Sequence, residues 1–238
     1  MTVTPTDPIL LVHGAYHGAW CWKPVIPHLE RLGRQAVAID LPGAGDDPAD
    51  PGTVTFADYV ARVVESARGL GRPAVLVGHS MGGMSITQAA EEAPELFRAV
   101  VYLTAMLPRD GDTAGGLLAP DERAPDFSPL MSGNVLNVLP PDMARDAFYH
   151  DCPEPLVADA LSRLRPIPLA LLASPVRLTG RAASLPHHYI ECLDDRALTL
   201  VQQRQLIAGA PLTIHTLDSA HSPFLSMPEQ LAGVLATI

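Results

Sequence analysis

The sequence contains few cysteines and few aromatic residues. The three cysteines are widely spaced and odd in number, so neither a disulfide framework nor a zinc site is expected. Aromatic residues make up 5% of the chain and apolar residues 47%, which predicts a large, mainly aliphatic core. No apolar run is long enough to span a bilayer, and no basic leader precedes the first one. We therefore expect a cytoplasmic protein.

Positive charge is also scarce. The formal net charge is -10, and Lys23 is the only lysine among 16 basic residues. Such a surface repels nucleic acid and anionic membranes, so neither is an expected partner. The expected partner is a small-molecule substrate. No cofactor or metal is expected, and a homodimer is compatible with the sequence.

Short apolar runs alternate with longer helical patterns along most of the chain. The predicted strands are apolar on both faces, as parallel strands between two layers of helices are. The fold class is therefore α/β, with a mainly parallel sheet of about six strands flanked by helices. Strands are predicted over 9–12, 36–39, 74–77, 99–103, 189–193 and 212–217, and helices over 19–32, 56–70, 81–93, 198–208 and after Pro228.

The alternation stops in the middle of the sequence. Residues 106–185 hold 11 of the 24 prolines and no long strand, although short helices fit 141–150 and 155–165. We predict one domain over 1–238, with a core of 1–106 and 186–238 and a helical cap insertion of 107–185. A separate second domain is less favoured, because about 75 residues of short helices bury little apolar surface.

The strongest local signal is the glycine–serine motif at residues 78–82. Gly78-His79-Ser80-Met81-Gly82 follows a predicted buried strand and opens a predicted helix. This is the setting of a nucleophile elbow, in which a sharp turn lifts the serine hydroxyl above the sheet. Ser80 is therefore the candidate nucleophile, and it needs a base within hydrogen-bond reach.

His221 is the favoured base among nine histidines. It comes just after the last predicted strand, and so at the carboxyl edge of the sheet, where ligands bind in such folds. His215 lies inside that strand. His187 and His188 precede a predicted strand and so stand at the opposite edge.

The acid that orients the base is expected between the serine and the histidine in this chain order. Asp194 and Asp195 end the preceding predicted strand. Asp195 is the preferred candidate and Asp194 the alternate. Asp218 is a third candidate, although it lies on the histidine's own loop and can simply brace that turn.

The remaining candidates concern oxyanion and substrate binding. An elbow serine works with two backbone amides, one from the residue after it, Met81, and one from the loop after the first strand, Ala15. Gly14, His79, Phe148 and Leu107 are the predicted substrate-binding residues. Further apolar cap residues line a pocket or pack the cap onto the sheet: Leu117, Leu118, Met131, Tyr149, Leu171 and Leu172.

Four segments resemble the esterase and hydroxynitrile lyase group of α/β-hydrolases: HGAYHGAWCW, VLVGHSMGGM, YIECLDDRAL and LDSAHSPFLSMPEQL. The group includes plant methyl-ester esterases and bacterial carboxylesterases, some of which cleave pyrethroid esters. The resemblance covers the whole chain and is thin in the cap. It implies the α/β-hydrolase fold, a triad of Ser80, Asp195 and His221, and oxyanion donors at Ala15 and Met81.

Two positions separate the branches of this group. The similar lyases carry a threonine where this chain has Gly14 and a lysine where it has Ser222. The sequence therefore favours a serine carboxylesterase that hydrolyses a small-to-medium hydrophobic ester through an acyl-enzyme on Ser80. A ligand receptor with slow turnover is the main alternative, and a hydroxynitrile lyase is a weaker one.

Overall fold

The structure is a computed structural model that describes residues 7–118 and 128–238. Residues 1–6, on which part of the N-terminal interpretation rests, lie outside the described residues. So do residues 119–127 of the predicted cap. Among the helices that are described, none has the length and apolarity needed to cross a bilayer. The cytoplasmic location stays a prediction.

Strands and helices alternate along the described chain. The strands are β1 (Ile9–Val12), β2 (Ala36–Ile39), β3 (Ala74–His79), β4 (Phe97–Leu103), β5 (Met131–Ser132), β6 (Val135–Leu136), β7 (Ile167–Pro168), β8 (His187–Cys192) and β9 (Thr213–Leu217). Six of them form one sheet in the order β2-β1-β3-β4-β8-β9, and every pairing in it is parallel. The predicted α/β fold class is confirmed.

Helices cover this sheet and fill the segment between β4 and β8. They are α1 (Ile26–Arg31), α2 (Phe56–Gly69), α3 (Gly82–Glu92), α4 (Ala114–Leu118), α5 (Pro141–Phe148), α6 (Glu154–Arg163), α7 (Ala170–Ala173), α8 (Leu200–Leu206), α9 (Pro223–Ser226) and α10 (Pro228–Ala236). α1 packs against α10, and α2 packs against α3.

α2 shows how the sequence produces these elements. Thr55 and Asp58 form a reciprocal capping box that satisfies amides at the start of the helix. One stripe of α2 is buried at helical spacing, namely Phe56, Tyr59, Val60, Val63, Val64 and Ala67. After the helix, Gly71 adopts a left-handed φ of 69°, which an L side chain rarely adopts.

Several boundary predictions are wrong, and two of them concern residues of interest here. The single helix expected over 19–32 is a 3-10 helix, Ala19–Trp22, followed by the separate α1. Pro24 and Pro27 lack amide hydrogens, which interrupts the hydrogen-bond ladder of a continuous helix. His187 and His188 are the first two residues of β8, whereas the sequence placed them before the strand.

The predicted cap holds α4 to α7 and a small antiparallel sheet, β5-β6-β7, whose strands are two residues long. The expected short helices are present at α5 and α6, and the small sheet was not anticipated. The division of the chain into a core and a cap insertion stays a prediction.

The strand order also determines where loops can meet. The chain leaves β1 for β2 on one side and returns to β3 on the other, so the order reverses between β1 and β3. In open parallel sheets, ligands bind at such a reversal, beyond the carboxyl ends of the strands. The loop after β1 and the turn after β3 therefore face each other at this edge.

Candidate active site

Ser80 stands at the turn between β3 and α3 with strained backbone. Its φ is 54°, in a region that non-glycine residues rarely occupy and that costs about 1–3 kcal/mol. Three backbone bonds hold it there. The Ser80 amide donates to Leu103 O at 3.2 Å, and the Ser80 carbonyl accepts from the amides of Gly83 and Met106, each at 3.0 Å. The geometry is that expected of a nucleophile elbow.

Two glycines let the loop after β1 approach this turn. A Cβ added at Gly14 would lie 2.7 Å from the Ser80 Cβ, and one at Gly82 would lie 2.6 Å from the His13 carbonyl oxygen. No real Cβ tolerates such distances. The absence of side chains here therefore brings Gly14 and Ser80 into direct contact.

His221 and Asp195 form a buried pair across two loops. His221 Nδ1 lies 2.7 Å from Asp195 Oδ2, and the two side chains are 2% and 0% exposed. Because a carboxylate only accepts hydrogen bonds, Nδ1 carries the proton. In the neutral ring Nε2 is then unprotonated and can take up a proton.

Four donors surround the Asp195 carboxylate. Oδ2 accepts from His221 and, at 2.5 Å, from the Thr104 hydroxyl. Oδ1 accepts from the amides of Ala197 at 2.7 Å and Leu198 at 2.8 Å. These four bonds fix the orientation of the carboxylate between the loops after β4, β8 and β9. Sequence reasoning missed Thr104, whose only signal is its place directly after β4 at the carboxyl edge.

Neither alternative acid reaches His221. The Asp194 side chain is 66% exposed and accepts a bond from His150 at 3.0 Å. Asp218 is exposed on the histidine's own loop. The acid and histidine loops are also joined directly, because the Asp194 amide donates to the Ser219 carbonyl at 3.0 Å.

The ring of His221 lies beside the elbow. His79, the neighbour of Ser80, donates from Nε2 to the His221 carbonyl oxygen at 2.9 Å, and the two rings are 4.6 Å apart. None of the hydrogen bonds of the described residues joins the Ser80 hydroxyl to His221. Such bonds are often long without a substrate and tighten when one is bound.

His79 was predicted to contact substrate, and this role stays a prediction. Its side chain is fully buried, and its one hydrogen bond among the described residues goes to the His221 carbonyl oxygen. Burial holds the pKa of His79 well below its usual range, so the ring is neutral. Since Nε2 is the donor, Nδ1 is an acceptor, and it finds no partner in the described parts of the chain. His79 is the last residue of β3, and the direction of its side chain could not be read from the sequence.

The two predicted oxyanion donors are free to bind a ligand. Within the residues that the structure describes, no hydrogen bond uses the amide of Ala15 or that of Met81. Ala15 follows Gly14, which contacts Ser80, and Met81 follows Ser80 directly. The structure thus places both unused amides next to the elbow.

Two neutral histidines pin the loop after β1. His13 Nδ1 donates to Gly14 O at 2.8 Å, and its Nε2 accepts from the Leu41 amide at 3.1 Å. His17 Nδ1 donates to Ala15 O at 2.7 Å. Burial lowers the pKa of both rings, to about 3 for His17. These bonds hold the peptides around Ala15 in place.

Phe148 and Leu107 were both predicted to bind substrate, and the structure separates them. The Phe148 ring lies 5.5 Å from that of His221 and 5.7 Å from that of His17, over the candidate site. Leu107 instead lines a cavity of about 420 Å³ whose other walls include His187 and residues 206 and 208–212, at the amino ends of β8 and β9. Gly14, Ser80 and His221 are not among the walls of this cavity, and the substrate-binding role of Leu107 stays a prediction.

The other cap candidates also lie in different places. Leu171 borders a cavity of about 10 Å³ beside Gly14 and Met81, which has room for about one water molecule. Met131 is 47% exposed, Tyr149 is fully buried, and the three remaining leucines are half-buried: Leu117, Leu118 and Leu172. No group of three His, Cys, Asp or Glu side chains among the described residues is arranged to hold a metal ion.

Comparison with known proteins gives the class of this chain. It matches the model of the alpha/beta hydrolase family over residues 9–234, and it belongs to that family. The predicted family and the predicted class of enzyme, a hydrolase, are confirmed.

Individual relatives cover nearly the whole chain. A pyrethroid hydrolase from Sphingobium wenxiniae is 32% identical, over 98% of this chain and 88% of its own length. Putative methylesterase 14 of Arabidopsis thaliana, named as chloroplastic, is 32% identical over 96% of this chain and 71% of that protein. The crystal structure of the pyrethroid hydrolase PytH with BIF superposes with a TM-score of 0.86 at 30% identity, covering 98% and 96% of the two chains.

Proposed function

We propose that this protein is a serine carboxylesterase in which Ser80 is the nucleophile, His221 the base and Asp195 the acid that orients it. The observation that carries this proposal is the buried His221–Asp195 pair at 2.7 Å, beside a strained serine that has two unused amides next to it. The esterase names of the relatives support it.

The mechanism follows from the roles of these groups. Ser80 Oγ attacks the ester carbonyl while His221 Nε2 takes its proton. The amides of Ala15 and Met81 hold the oxyanion of the tetrahedral intermediate. His221 then gives the proton to the leaving alkoxide, which departs as the alcohol. Water next loses a proton to His221, attacks the acyl group and releases the acid, and the proton returns to Ser80.

We further propose that the substrate is a small-to-medium hydrophobic carboxylic ester. Apart from the Asp195 carboxylate, the groups against the His221 ring are aromatic, with Phe148 at 5.5 Å and His79 at 4.6 Å between ring centroids. Burial keeps His79 neutral. A neutral, apolar wall favours an uncharged substrate over a strongly anionic one.

Two features of the site argue against cyanohydrin cleavage. A side chain at residue 14 would place its Cβ 2.7 Å from the Ser80 Cβ, so the threonine of the lyase branch does not fit this backbone. Ser222, which follows His221, supplies no positive charge for a cyanide ion, and its hydroxyl is buried. The single lysine of the sequence, Lys23, is not one of the candidate site residues.

Replacing the nucleophile is the direct test. Ser80→Ala should lower the hydrolysis of p-nitrophenyl esters at least about a thousandfold, because no other group can carry the acyl intermediate. Far-ultraviolet circular dichroism should stay unchanged. Retained turnover in a folded variant would refute the proposal. Rapid labelling of the wild type by a fluorophosphonate, without turnover of any ester in a series varied in acyl and alcohol groups, would favour a receptor.

Variants of two adjacent aspartates, Asp195 and Asp194, test which one is the acid of the triad. Asp195→Asn should lower kcat about a thousandfold, because the amide disfavours the tautomer that leaves His221 Nε2 free. Asp194→Asn is the control, since Asp194 is exposed and does not contact His221. It should retain activity within about threefold. Steady-state kinetics would reject Asp195 if Asp194→Asn were the damaging change.

A further inference from the structure

Three consecutive cap residues each bind a different loop of the candidate site. Tyr149 contacts the loop after β1, His150 the loop after β8, and Asp151 the loop after β9. These loops carry Ala15, Asp195 and His221 in that order. The segment lies between α5 and α6, well away from these loops in sequence. We call residues 149–151 the clamp segment.

The Tyr149 contact reaches the oxyanion loop through His17. The Tyr149 hydroxyl lies 2.7 Å from His17 Nε2, and His17 Nδ1 lies 2.7 Å from the Ala15 carbonyl oxygen. A carbonyl only accepts, so Nδ1 carries the proton of the neutral ring. Nε2 must then accept from the Tyr149 hydroxyl. The direction of both bonds is fixed, from the cap to the peptide of Ala15.

This chain of bonds is buried throughout. Tyr149 and His17 are each 1% exposed, and the ring of Phe148 packs on both of them at 5.7–5.8 Å. Water cannot replace a lost partner easily in such a place, so a missing hydroxyl leaves His17 Nε2 without its donor. His17 would then keep only one of the two hydrogen bonds that orient its ring, and its hold on Ala15 would weaken.

The Asp151 contact reaches the histidine loop directly. Asp151 Oδ2 accepts from the Ala220 amide at 2.8 Å and from the Ser219 hydroxyl at 3.2 Å. Ala220 is fully buried and precedes His221. These two bonds join the cap to the loop directly before His221.

The third contact is weaker. His150 Nε2 lies 3.0 Å from Asp194 Oδ2, where the Asp194 side chain is largely in solvent. Exposed pairs of this kind contribute little to stability or geometry. The argument therefore depends on Tyr149 and Asp151.

We propose that Tyr149 and Asp151 are positioning residues through which the cap sets the geometry of the reaction, Tyr149 for the oxyanion donor at Ala15 and Asp151 for His221. This inference rests on the proposed esterase function. Neither side chain touches the reacting atoms. Their loss changes the transition state more than substrate binding, and so lowers kcat more than it raises KM.

The Tyr149→Phe variant tests the oxyanion arm, because it removes one hydroxyl and keeps the ring. We expect kcat for p-nitrophenyl esters to fall about tenfold and KM to change less than about twofold. Tyr102→Phe is the matched control. Tyr102 is equally buried and its hydroxyl binds Thr87 Oγ1 at 2.8 Å, but it contacts none of the three loops. It should lower the melting temperature to a similar extent and leave kcat within about twofold.

Asp151 variants test the histidine arm. Asp151→Ala should lower kcat about tenfold, and Asp151→Asn should restore most of it, because its side-chain oxygen still accepts from Ala220. Asp159→Ala is the control, since Asp159 lies on α6 and pairs only with cap groups, Arg163 Nε at 2.8 Å among them. Its kcat should stay within about twofold of the wild type.

The outcomes separate this inference from the proposed function. If the wild type is active and loses activity with Ser80→Ala, while Tyr149→Phe and Asp151→Ala keep kcat within twofold, only the positioning role is overturned. The role is also overturned if Tyr102→Phe loses as much kcat as Tyr149→Phe, since the effect is then one of stability. If the wild type neither hydrolyses esters nor labels at Ser80, the proposed function fails, and the positioning role fails with it.

Discussion

Thr104 shows how a single side chain completes the site. It follows β4 with a left-handed φ of 35°, and its hydroxyl donates to the same oxygen of Asp195 that binds His221. The Thr104 amide donates to Ile190 O at 2.8 Å, which ties the residue to β8. The strained backbone thus aims the hydroxyl at the acid from the neighbouring strand.

Removing the Thr104 hydroxyl should leave Asp195 less firmly oriented towards His221. Thr104→Val keeps the shape and removes the donor, and a hydrogen bond to a charged group is worth about 1.5–3 kcal/mol. We expect kcat/KM to fall about tenfold or more. Thr104→Ser keeps the donor and should retain activity within about threefold. A loss in Thr104→Ser without a loss in Thr104→Val would mean that the methyl group matters and the hydroxyl does not.

At the residue scale, the candidates that the sequence offers are groups that a local motif or the chain order marks. Ser80 lies in a five-residue motif, and His221 and Asp195 follow strands that are themselves readable. Thr104 and Tyr149 have no such mark, because their partners lie 91 and 132 residues away in the chain. The contact of His79 with the loop of His221 has no such mark either, because the direction of a buried side chain is set by tertiary packing.

Gly83 lies in α3, directly after the serine turn, where another part of the chain packs closely against the helix. A Cβ added at Gly83 would lie 2.0 Å from the Met106 carbonyl oxygen, and backbone at that place cannot yield as a side chain can. The Met106 amide in turn binds the Ser80 carbonyl. The packing of α3 against the chain that leaves β4 therefore holds the serine turn.

Two helical glycines give opposite predictions. Gly83→Ala should lower the free energy of unfolding by about 1–3 kcal/mol, because the helix and the chain at Met106 must separate. Gly233→Ala, in α10, has no atom within 4 Å of the new Cβ and should raise it by about 0.5–1 kcal/mol through helix propensity. Urea denaturation measures both. A neutral or stabilising Gly83→Ala would contradict the close contact.

At the element scale, strands were predicted better than helix ends and better than the cap. Strands buried on both faces, such as β1 and β3, stand out as continuous apolar runs. The break between Trp22 and α1 depends on the prolines there, which lack amide hydrogens. The apolar periodicity of the sequence does not show such a break. β5, β6 and β7 have two residues each, too few to form any pattern.

At the scale of the whole molecule, charged and polar groups join the predicted cap to the core at several points. Arg165 donates to the carbonyls of Gly45 at 3.0 Å and Asp47 at 2.8 Å, and its amide donates to Tyr16 O at 2.9 Å. The clamp segment adds the contacts described above. The core sheet was readable from the sequence, whereas these attachments were not, because each depends on how the cap lies on the sheet.

Glu91 on α3 binds the end of the predicted cap, where the chain returns to the core. Its carboxylate on α3 accepts from the amide and hydroxyl of Thr179, each at 2.7 Å, from the Arg181 amide at 3.0 Å and from the Ala182 amide at 3.2 Å. Burial alone raises the pKa of Glu91, but these four bonds outweigh it and lower the pKa from 4.5 to about 2. The ionised carboxylate is therefore what holds residues 179–182.

This attachment should be lost in acid. Because the pKa of Glu91 is lower in the folded state, its contribution to stability is complete above pH 4.5 and disappears as the pH falls towards about 2. Glu91→Gln should lower the free energy of unfolding at pH 7 by about 1–3 kcal/mol, since three amides and a hydroxyl lose a charged acceptor. Its deficit relative to the wild type should shrink between pH 4.5 and pH 2. Glu92→Gln, an exposed neighbour on the same helix, should show no such convergence in melting temperatures measured by circular dichroism. A deficit for Glu91→Gln that stays constant across this range would mean that the charge of Glu91 does not hold the segment.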